Sequence, residues 1–95
     1  MAEALSLDSR PRLAAKVRLR YDRKEARYML LYPEKGLVLN PTAADVVQLC
    51  TGEHTVRAIA AQLAAKYGQE SATVEREVLS LLNAFAERAL VEDAP

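Results

Sequence analysis

Two segments in the first half of the chain alternate apolar and polar residues with the period of two that is typical of β-strands. In KVRLRYD (16–22) the apolar and basic side chains occupy opposite positions, which predicts a strand with one buried and one solvated face. In RYMLLYP (27–33) both sets of alternate positions are apolar or aromatic, which predicts a central strand. The short apolar segment LVL (37–39) follows and completes a predicted antiparallel meander of three strands.

The connections of this meander carry turn-forming residues. DRKEA (22–26) forms the first turn, and PEKG (33–36) is predicted as a four-residue hairpin loop, with Pro33 fixing φ and Gly36 in a left-handed conformation. A meander leaves its third strand at the edge of the sheet. Because residues 37–39 include no lysine or proline that would block further pairing, the sequence predicts an open edge there.

The second half of the chain carries the 3.6-residue apolar period of three helices. Asn40 and Pro41 predict the start of the first helix, which would end at Gly52, and Thr55 caps a second helix that Gly68 stops. A third helix is predicted from a cap at residue 71 or 73 to about residue 88. Its core stripe is formed by Val74, Val78, Leu81, Leu82 and Phe85.

Together these elements predict one α+β domain over residues 15–92, with a winged-helix-like fold in which a three-stranded antiparallel meander packs on a three-helix bundle. Residues 1–14 lack a periodic apolar pattern and are predicted to form a flexible tail, and residues 93–95 are predicted to form a C-terminal tail. The two apolar faces of the meander and its short hinge to the helices favour a homodimer at high concentration, through strand exchange or edge pairing.

The third helix has an apolar arc that is wider than one contact needs. On a helical wheel, Leu79, Ala86 and Leu90 lie to one side of the core stripe, and Asn83 lies beside them. Two interpretations stay open. The wide arc either covers more of the core or forms a second facet for docking.

Composition and charge narrow the class of protein. Of 95 residues, 51% are hydrophobic and 27% charged, with no apolar segment as long as a membrane span and no signal peptide, which predicts a cytoplasmic protein without membrane contact. Net charge is zero, but residues 1–40 carry four excess positive charges and residues 41–95 four excess negative ones. Solvated strand faces explain this asymmetry, and steering of an acidic partner is the alternative.

Candidate catalytic chemistry is limited to Cys50 and His54. Cys50 falls on the predicted core face of a helix and His54 in a loop, so no nucleophile–base pair is predicted. One cysteine cannot form an intramolecular disulfide, one histidine cannot assemble a familiar zinc site, and the three glycines serve as turn and cap residues. We therefore expect no enzyme activity, no metal and no cofactor.

The winged-helix-like arrangement raises the alternative of DNA binding. A recognition helix normally brings lysine or arginine to phosphates, but the third helix carries only Arg76 and Arg88 against Glu75, Glu77 and Glu87. This sign of charge argues against nucleic acid as a partner. A module that adds an extended peptide to the open sheet edge fits the pattern better, and DNA binding or another protein-interaction module is the alternative.

Several short motifs follow one another in a specific order. They are LRYD (19–22), LLYPE (30–34), LNPTAADV (39–46), TV (55–56) followed by Ile59, Leu63 and Tyr67, then EV (77–78), LL (81–82) and LV (90–91). With this spacing the chain resembles the PqqD family of pyrroloquinoline quinone (PQQ) biosynthesis over residues 10–92. Three residues depart from the family pattern, namely Thr51, Glu77 and Ala89, the last of which stands where a helix-ending glycine is usual.

The resemblance implies a cofactor-free chaperone with the fold of peptide-recognition domains. Such a protein would bind the ribosomally made precursor peptide PqqA and present it to the radical S-adenosylmethionine (SAM) enzyme PqqE, which joins a Glu and a Tyr of that peptide. In the wider fold the peptide lies along the third strand and against the third helix. Carried over by position, the expected peptide-binding residues are Leu37, Val38, Leu39, Leu79, Leu82, Asn83 and Ala86.

Overall fold

Within residues 4–33 and 35–95, which the computed structural model describes, the chain forms five strands and three helices. In chain order they are β1 (Pro11–Leu13), β2 (Arg18–Asp22), β3 (Arg27–Tyr32), β4 (Lys35–Leu39), α1 (Pro41–Gln48), α2 (Val56–Tyr67), α3 (Ser71–Glu87) and β5 (Val91–Asp93). The predicted fold class, a meander on three helices, is confirmed. In this part of the chain, no helix is long and apolar enough to cross a membrane.

The meander has the order β2-β3-β4, with β3 in the centre as the alternation predicts. Leu19, Leu30 and Leu37 lie directly opposite one another across the three strands, and they form an apolar row on the face that covers the helices. Leu30 in the middle of this row is fully buried. The row fixes the register, because a shift by one residue would move these side chains to the opposite face.

The β3–β4 hairpin is tighter than the predicted four-residue loop. Tyr32 pairs with Lys35, so only residues 33 and 34 connect the strands; residue 34 lies outside the described part. Gly36 is in β4 opposite Leu31 and does not have a left-handed conformation, which corrects the role predicted for it. A side chain there would approach the Met29 Cε atom to 3.2 Å, so the glycine makes room for Met29 across the sheet.

The starts of α1 and α2 follow the predicted caps, but the end of α1 and the start of α3 differ from the prediction. The side chains of Asn40 and Thr55 accept hydrogen bonds from the first turns of α1 and α2, and Gly68 ends α2 with φ of +63°. α1 ends at Gln48 rather than at Gly52, because the chain then turns to pair with β1, where the Gly52 N–H donates to a carbonyl. α3 begins at Ser71 without a side-chain cap.

The N-terminal segment is packed, in contrast to the flexible tail predicted over residues 1–14. Residues 1–3 lie outside the described part, but Leu5 is only 6% exposed and belongs to the core. The carbonyls of Leu7 and Ser9 accept hydrogen bonds from the first N–H groups of α2, at 2.9 Å each. These contacts satisfy donors that a helix start leaves without partners, which gives the segment a fixed position.

A second, two-stranded sheet joins the two ends of the chain. β1 pairs antiparallel with β5, so that Pro11 lies opposite Asp93 and Leu13 opposite Val91. The ladder continues past the strands, because the Ala94 N–H donates to the Arg10 carbonyl at 2.7 Å. Residues 93 and 94 are therefore part of this ladder rather than of the C-terminal tail predicted over 93–95.

A polar contact ties α1 to α2 at the surface. Asp45 on α1 accepts hydrogen bonds from the Tyr67 hydroxyl and from Lys66 Nζ, the latter at 3.0 Å. The hydrogen bond from Tyr67 has the largest effect and lowers the pKa of Asp45 below its usual value. Burial opposes this shift, and the hydrogen bond and charge of Lys66 lower the pKa further. The carboxyl group of Asp45 is therefore ionised over the neutral pH range.

Ala89 has a strained conformation that generates a test of this fold. After α3, Ala89 has φ of +60°, and the next N–H, of Leu90, donates back to the Phe85 carbonyl at 2.9 Å. A non-glycine residue in the left-handed region costs roughly 1 kcal/mol. We expect Ala89→Gly to raise the free energy of unfolding by about 0.5–1 kcal/mol in urea titrations, because glycine removes this strain.

The matched control for this change is Ala84→Gly, an exposed position inside α3. There glycine should lower the free energy of unfolding by about 1 kcal/mol, because it only adds freedom to the unfolded chain. If both glycine variants lose stability equally, Ala89 does not have the left-handed conformation.

Candidate functional site

The outer edge of β4 is open to an additional strand. β4 is the last strand of the meander, and within the described residues its backbone makes no hydrogen bond to any segment other than β3. Tyr32 and Lys35 close the two-residue turn, so the alternation of the antiparallel ladder directs the N–H and C=O groups of Gly36 and Val38 away from β3. These groups can pair with an extended chain.

The side chains of β4 divide between the two faces of the sheet. Leu37 is half-buried at the border of the core, and Leu39 is 5% exposed and belongs to the core itself. Val38 lies on the opposite face and is 46% exposed. Of the three β4 residues predicted for the site, Leu39 therefore offers only its backbone, whereas Leu37 and Val38 also offer part of their side chains.

The side facet of α3 is present but smaller than predicted. Leu79 and Ala86 are half-buried and pack at the border of the same core that Leu37 borders. Leu82 is 0% exposed and belongs to the core stripe, so its side chain is not on the surface. Leu90 lies beyond the end of α3 and is buried, because Ala89 turns the chain back. The accessible part of the facet is thus Leu79 and Ala86.

Asn83, which was predicted to contact the peptide, already holds a segment of this chain. The Leu5 N–H donates to Asn83 Oδ1 at 2.7 Å, and Asn83 Nδ2 donates to the Leu5 carbonyl at 3.4 Å. The amide therefore binds both backbone groups of one residue, as it would bind a residue of an extended peptide. The sequence contains no signal for this contact, because residues 1–14 have no periodic apolar pattern that would predict their path across α3.

The end of α3 is tied to the meander by a side-chain hydrogen bond. Arg88 Nη2 donates to the Tyr32 hydroxyl at 2.9 Å, which brings the last turn of α3 next to the β3–β4 hairpin. A surface pocket of about 520 Å³ lies at this junction, and Lys16, Val17 and Leu90 also line it. The end of α3 therefore lies beside the hairpin that carries β4.

The described residues do not bring together a catalytic group. Cys50 is buried, and its thiol donates to the Val46 carbonyl at 3.3 Å. Burial raises the pKa of the Cys50 thiol to about 12, so the reactive thiolate is nearly absent at neutral pH. His54 lies in the bend after Gly52. In the same part of the chain no group of three His, Cys, Asp or Glu side chains could hold a metal.

Comparisons with known proteins agree on one family. The family described as "Coenzyme PQQ synthesis protein D (PqqD)" matches residues 27–91. Two proteins named "PqqA binding protein" are similar over most of their length: the one from Rhodopseudomonas palustris (strain BisB5) is 35% identical, covering 90% of this chain and 84% of the relative. The one from Xanthomonas axonopodis pv. citri is 34% identical, covering 92% of this chain and 95% of the relative.

Two solved structures have the same fold. The solution structure of the PqqD truncation of Methylobacterium extorquens PqqCD, described as a functional and stand-alone recognition element for ribosomally synthesized and post-translationally modified peptides, superposes with a TM-score of 0.81 at 35% identity. It covers 94% of this chain and 95% of that one. The crystal structure of PqqD from Xanthomonas campestris gives 0.55 at 33% identity, covering 88% and 93%.

The rate at which the Cys50 thiol reacts tests whether this residue can act as a nucleophile. With a pKa of about 12, the thiolate fraction at pH 8 is more than a thousandfold below that of an ordinary cysteine. We expect the thiol reagent 5,5′-dithiobis(2-nitrobenzoate) to modify the native protein about a thousandfold more slowly than the protein in 6 M guanidinium, as followed by absorbance.

Ser80→Cys provides the control, because Ser80 is exposed on α3. This variant should show one fast and one slow thiol in the native state. Equal rates for both thiols would mean that Cys50 is accessible and able to act as a nucleophile.

Proposed function

This chain belongs to the PqqD family, and we propose that it is a non-catalytic peptide chaperone of PQQ biosynthesis that binds the precursor peptide PqqA by strand addition. The family match and the relatives named as PqqA binding proteins support this role. The observation that carries the mechanism is the open edge of β4, where the backbone groups of Gly36 and Val38 have no partner strand in the described chain.

Strand addition uses the two kinds of group that this edge offers. The backbone of an extended peptide pairs with Gly36 and Val38, and this pairing supplies affinity without depending on the peptide sequence. Alternate side chains of the added strand then face the α3 side, where Leu37, Leu79 and Ala86 border the core. These half-buried apolar groups provide sequence preference for apolar peptide side chains.

The two buried residues of the predicted site have a supporting role in this proposal. Leu39 and Leu82 belong to the core and hold β4 and α3 in place from below. Asn83 binds Leu5, so a peptide that reached Asn83 would have to displace that segment. We therefore assign the direct side-chain contacts to Leu37, Val38, Leu79 and Ala86.

The chemistry on the peptide belongs to a partner in this proposal. In this proposal the protein presents bound PqqA to the radical SAM enzyme PqqE, and PqqE carries out the reaction. The buried thiol of Cys50 supports a binding role without catalysis for this chain. A homodimer through the same β4 edge would compete with the peptide, because one edge accepts one strand. A cytoplasmic location is part of the proposal as well.

A proline in the open edge tests strand addition directly. Val38→Pro removes an N–H that points away from β3, so the meander itself keeps its hydrogen bonds. We expect the variant to stay folded by circular dichroism and to bind PqqA at least about tenfold more weakly by calorimetry, because one backbone pair is lost and the ring blocks the edge.

Val38→Thr is the matched control, since it keeps the branched shape and the N–H, and it should bind PqqA within a few-fold of the original protein. Unchanged PqqA affinity in a folded Val38→Pro variant would exclude pairing along this edge.

A pair of changes in α3 separates the site from the core. Leu79→Glu should leave the helices intact and weaken PqqA binding about tenfold to a hundredfold, because it removes apolar contact worth roughly 1.5–3 kcal/mol. Phe85→Ala, in the buried stripe, should instead lower the free energy of unfolding by about 3–5 kcal/mol. Melting curves and peptide titrations on both variants distinguish these effects.

Two results would contradict the proposal. One is a Leu79→Glu variant that is folded and binds PqqA unchanged, which removes α3 from the site. The other is turnover of PqqA by this protein alone, without a partner enzyme.

A further inference from the structure

The face of the meander that points away from the helices has its own chemical pattern. Cross-strand pairing places Arg20, Met29 and Val38 in one row across the sheet. The next row consists of Arg18, Leu31 and Gly36. On the helix side of β3 only Leu30 is fully buried, and on this outer face Met29 and Leu31 are both partly exposed. The outer face thus has an apolar centre on β3 and β4 and a basic border along β2.

The basic border extends into the turn after β2. Arg23, Lys24 and Arg27 add to the arginines of β2, and within the described residues none of the ion pairs involves any of them. The same turn also carries two carboxylates, Glu25 and Asp22, the latter of which accepts hydrogen bonds from the N–H groups of Lys24 and Glu25 at 3.0 and 3.4 Å. Together with the two arginines of β2, the border has five cations against these two carboxylates and is therefore net positive.

A pocket connects the apolar centre to the border. It has a volume of about 540 Å³. It is lined by Tyr21, Met29 and Leu31, by the three cations Arg20, Arg23 and Lys24, and by one carboxylate, that of Asp22. A partner that fits it carries an apolar group for the pocket and carboxylates for the surrounding cations.

From this geometry we infer that the outer face of the meander docks an acidic protein partner, separately from the peptide edge. The aliphatic centre favours protein over nucleic acid, because sheets that bind single strands present aromatic rings for stacking, and here Tyr21, Tyr28 and Tyr32 alternate onto the other face. An anionic membrane is disfavoured as well, because Met29 and Leu31 are only partly exposed and, among the apolar side chains of this face, Val38 alone is exposed.

The docking face and the peptide edge can be occupied together. Neighbouring strands lie roughly 5 Å apart, so Arg20 on β2 is about 10 Å from the β4 backbone that would pair with a peptide. Within the proposed function, on which this step rests, the acidic partner is the enzyme that receives the peptide. PqqE is therefore the probe.

The test reverses the charge of the border and compares two ligands. The double variant Arg20→Glu with Arg27→Glu should bind PqqE at least about tenfold more weakly at 0.1 M salt, and the difference should shrink at 0.5 M salt. Met29→Glu should weaken PqqE binding at both salt concentrations, because it disrupts apolar contact. PqqA affinity of all these variants should stay within twofold of that of the original protein.

Arg76→Glu is the control, because Arg76 is an exposed residue of α3 and not of the meander. The substitution reverses a charge and leaves the side chains of the outer face unchanged. Circular dichroism verifies that each variant is folded. If the reversed charges lower stability, the double variant Arg20→Gln with Arg27→Gln is used in place of the double Glu variant. The docking face is refuted if wild-type protein binds PqqA but not PqqE, or if the border variants bind PqqE like Arg76→Glu.

Other occupants are measured in parallel. The binding of the border variants to duplex DNA, single-stranded RNA and phosphatidylserine vesicles is measured beside their binding to PqqE. If the variants lose more affinity for one of these ligands than for PqqE, the choice of a protein partner is wrong. If the border variants bind PqqE unchanged but no longer self-associate, as measured by light scattering, the face binds a second copy of this chain. Failure of the wild-type protein to bind PqqA would instead overturn the proposed function.

Discussion

Among the residues that the structure describes, the backbone groups along the outer side of β4 have no partner strand, and the proposed peptide site depends on this open edge. The edge is useful only if it is rigid, and two features hold it. Leu37 and Leu30 lie opposite each other in the apolar row that fixes the register. Asn40, directly after β4, caps α1, so the strand continues into the helix without a flexible linker. A peptide that pairs with this edge therefore meets a strand whose conformation is already set, which lowers the entropy cost of binding.

The two ends of the chain pack elsewhere in the fold and leave the outer edge of β4 free. β1 and β5 join the two chain ends into a separate sheet, and the carbonyls before β1 satisfy the first N–H groups of α2. The segment around Leu5 covers the part of α3 at Asn83. The ends of the chain are thus used for the helical side, and the meander contributes an edge for one partner and an outer face with a different chemistry.

The sequence predicted the parts of the fold that depend on local pattern. Alternation gave the central position of β3, and Asn40 and Thr55 gave the correct helix starts, because a cap is a contact between residues three positions apart. β1 and β5 were missed, since three-residue strands show no alternation and their pairing joins residues about eighty positions apart. Gly36 was assigned to the turn because a glycine in a strand and a glycine in a turn look alike in sequence.

The candidate site could be predicted only in part for a related reason. The resemblance placed Leu39 and Leu82 in the site, but a helical wheel or a strand pattern gives the direction of a side chain and not the depth at which it lies. The contact between Leu5 and Asn83 depends on the path of the N-terminal segment, which no periodic pattern marks. In contrast, the substitution of a usual glycine by Ala89 was visible in the sequence, and the structure shows the left-handed conformation that the position requires.

Amide hydrogen exchange along β4, measured by NMR with and without saturating PqqA, tests the central claim most directly. In the free protein the N–H groups of Leu37 and Leu39, which face β3, should exchange slowly, and those of Gly36 and Val38 should exchange fast. Bound peptide should slow the exchange of Gly36 and Val38 specifically, because a new strand would accept their hydrogen bonds. If PqqA binds and the exchange of Gly36 and Val38 stays as fast as in the free protein, the peptide does not add to this edge.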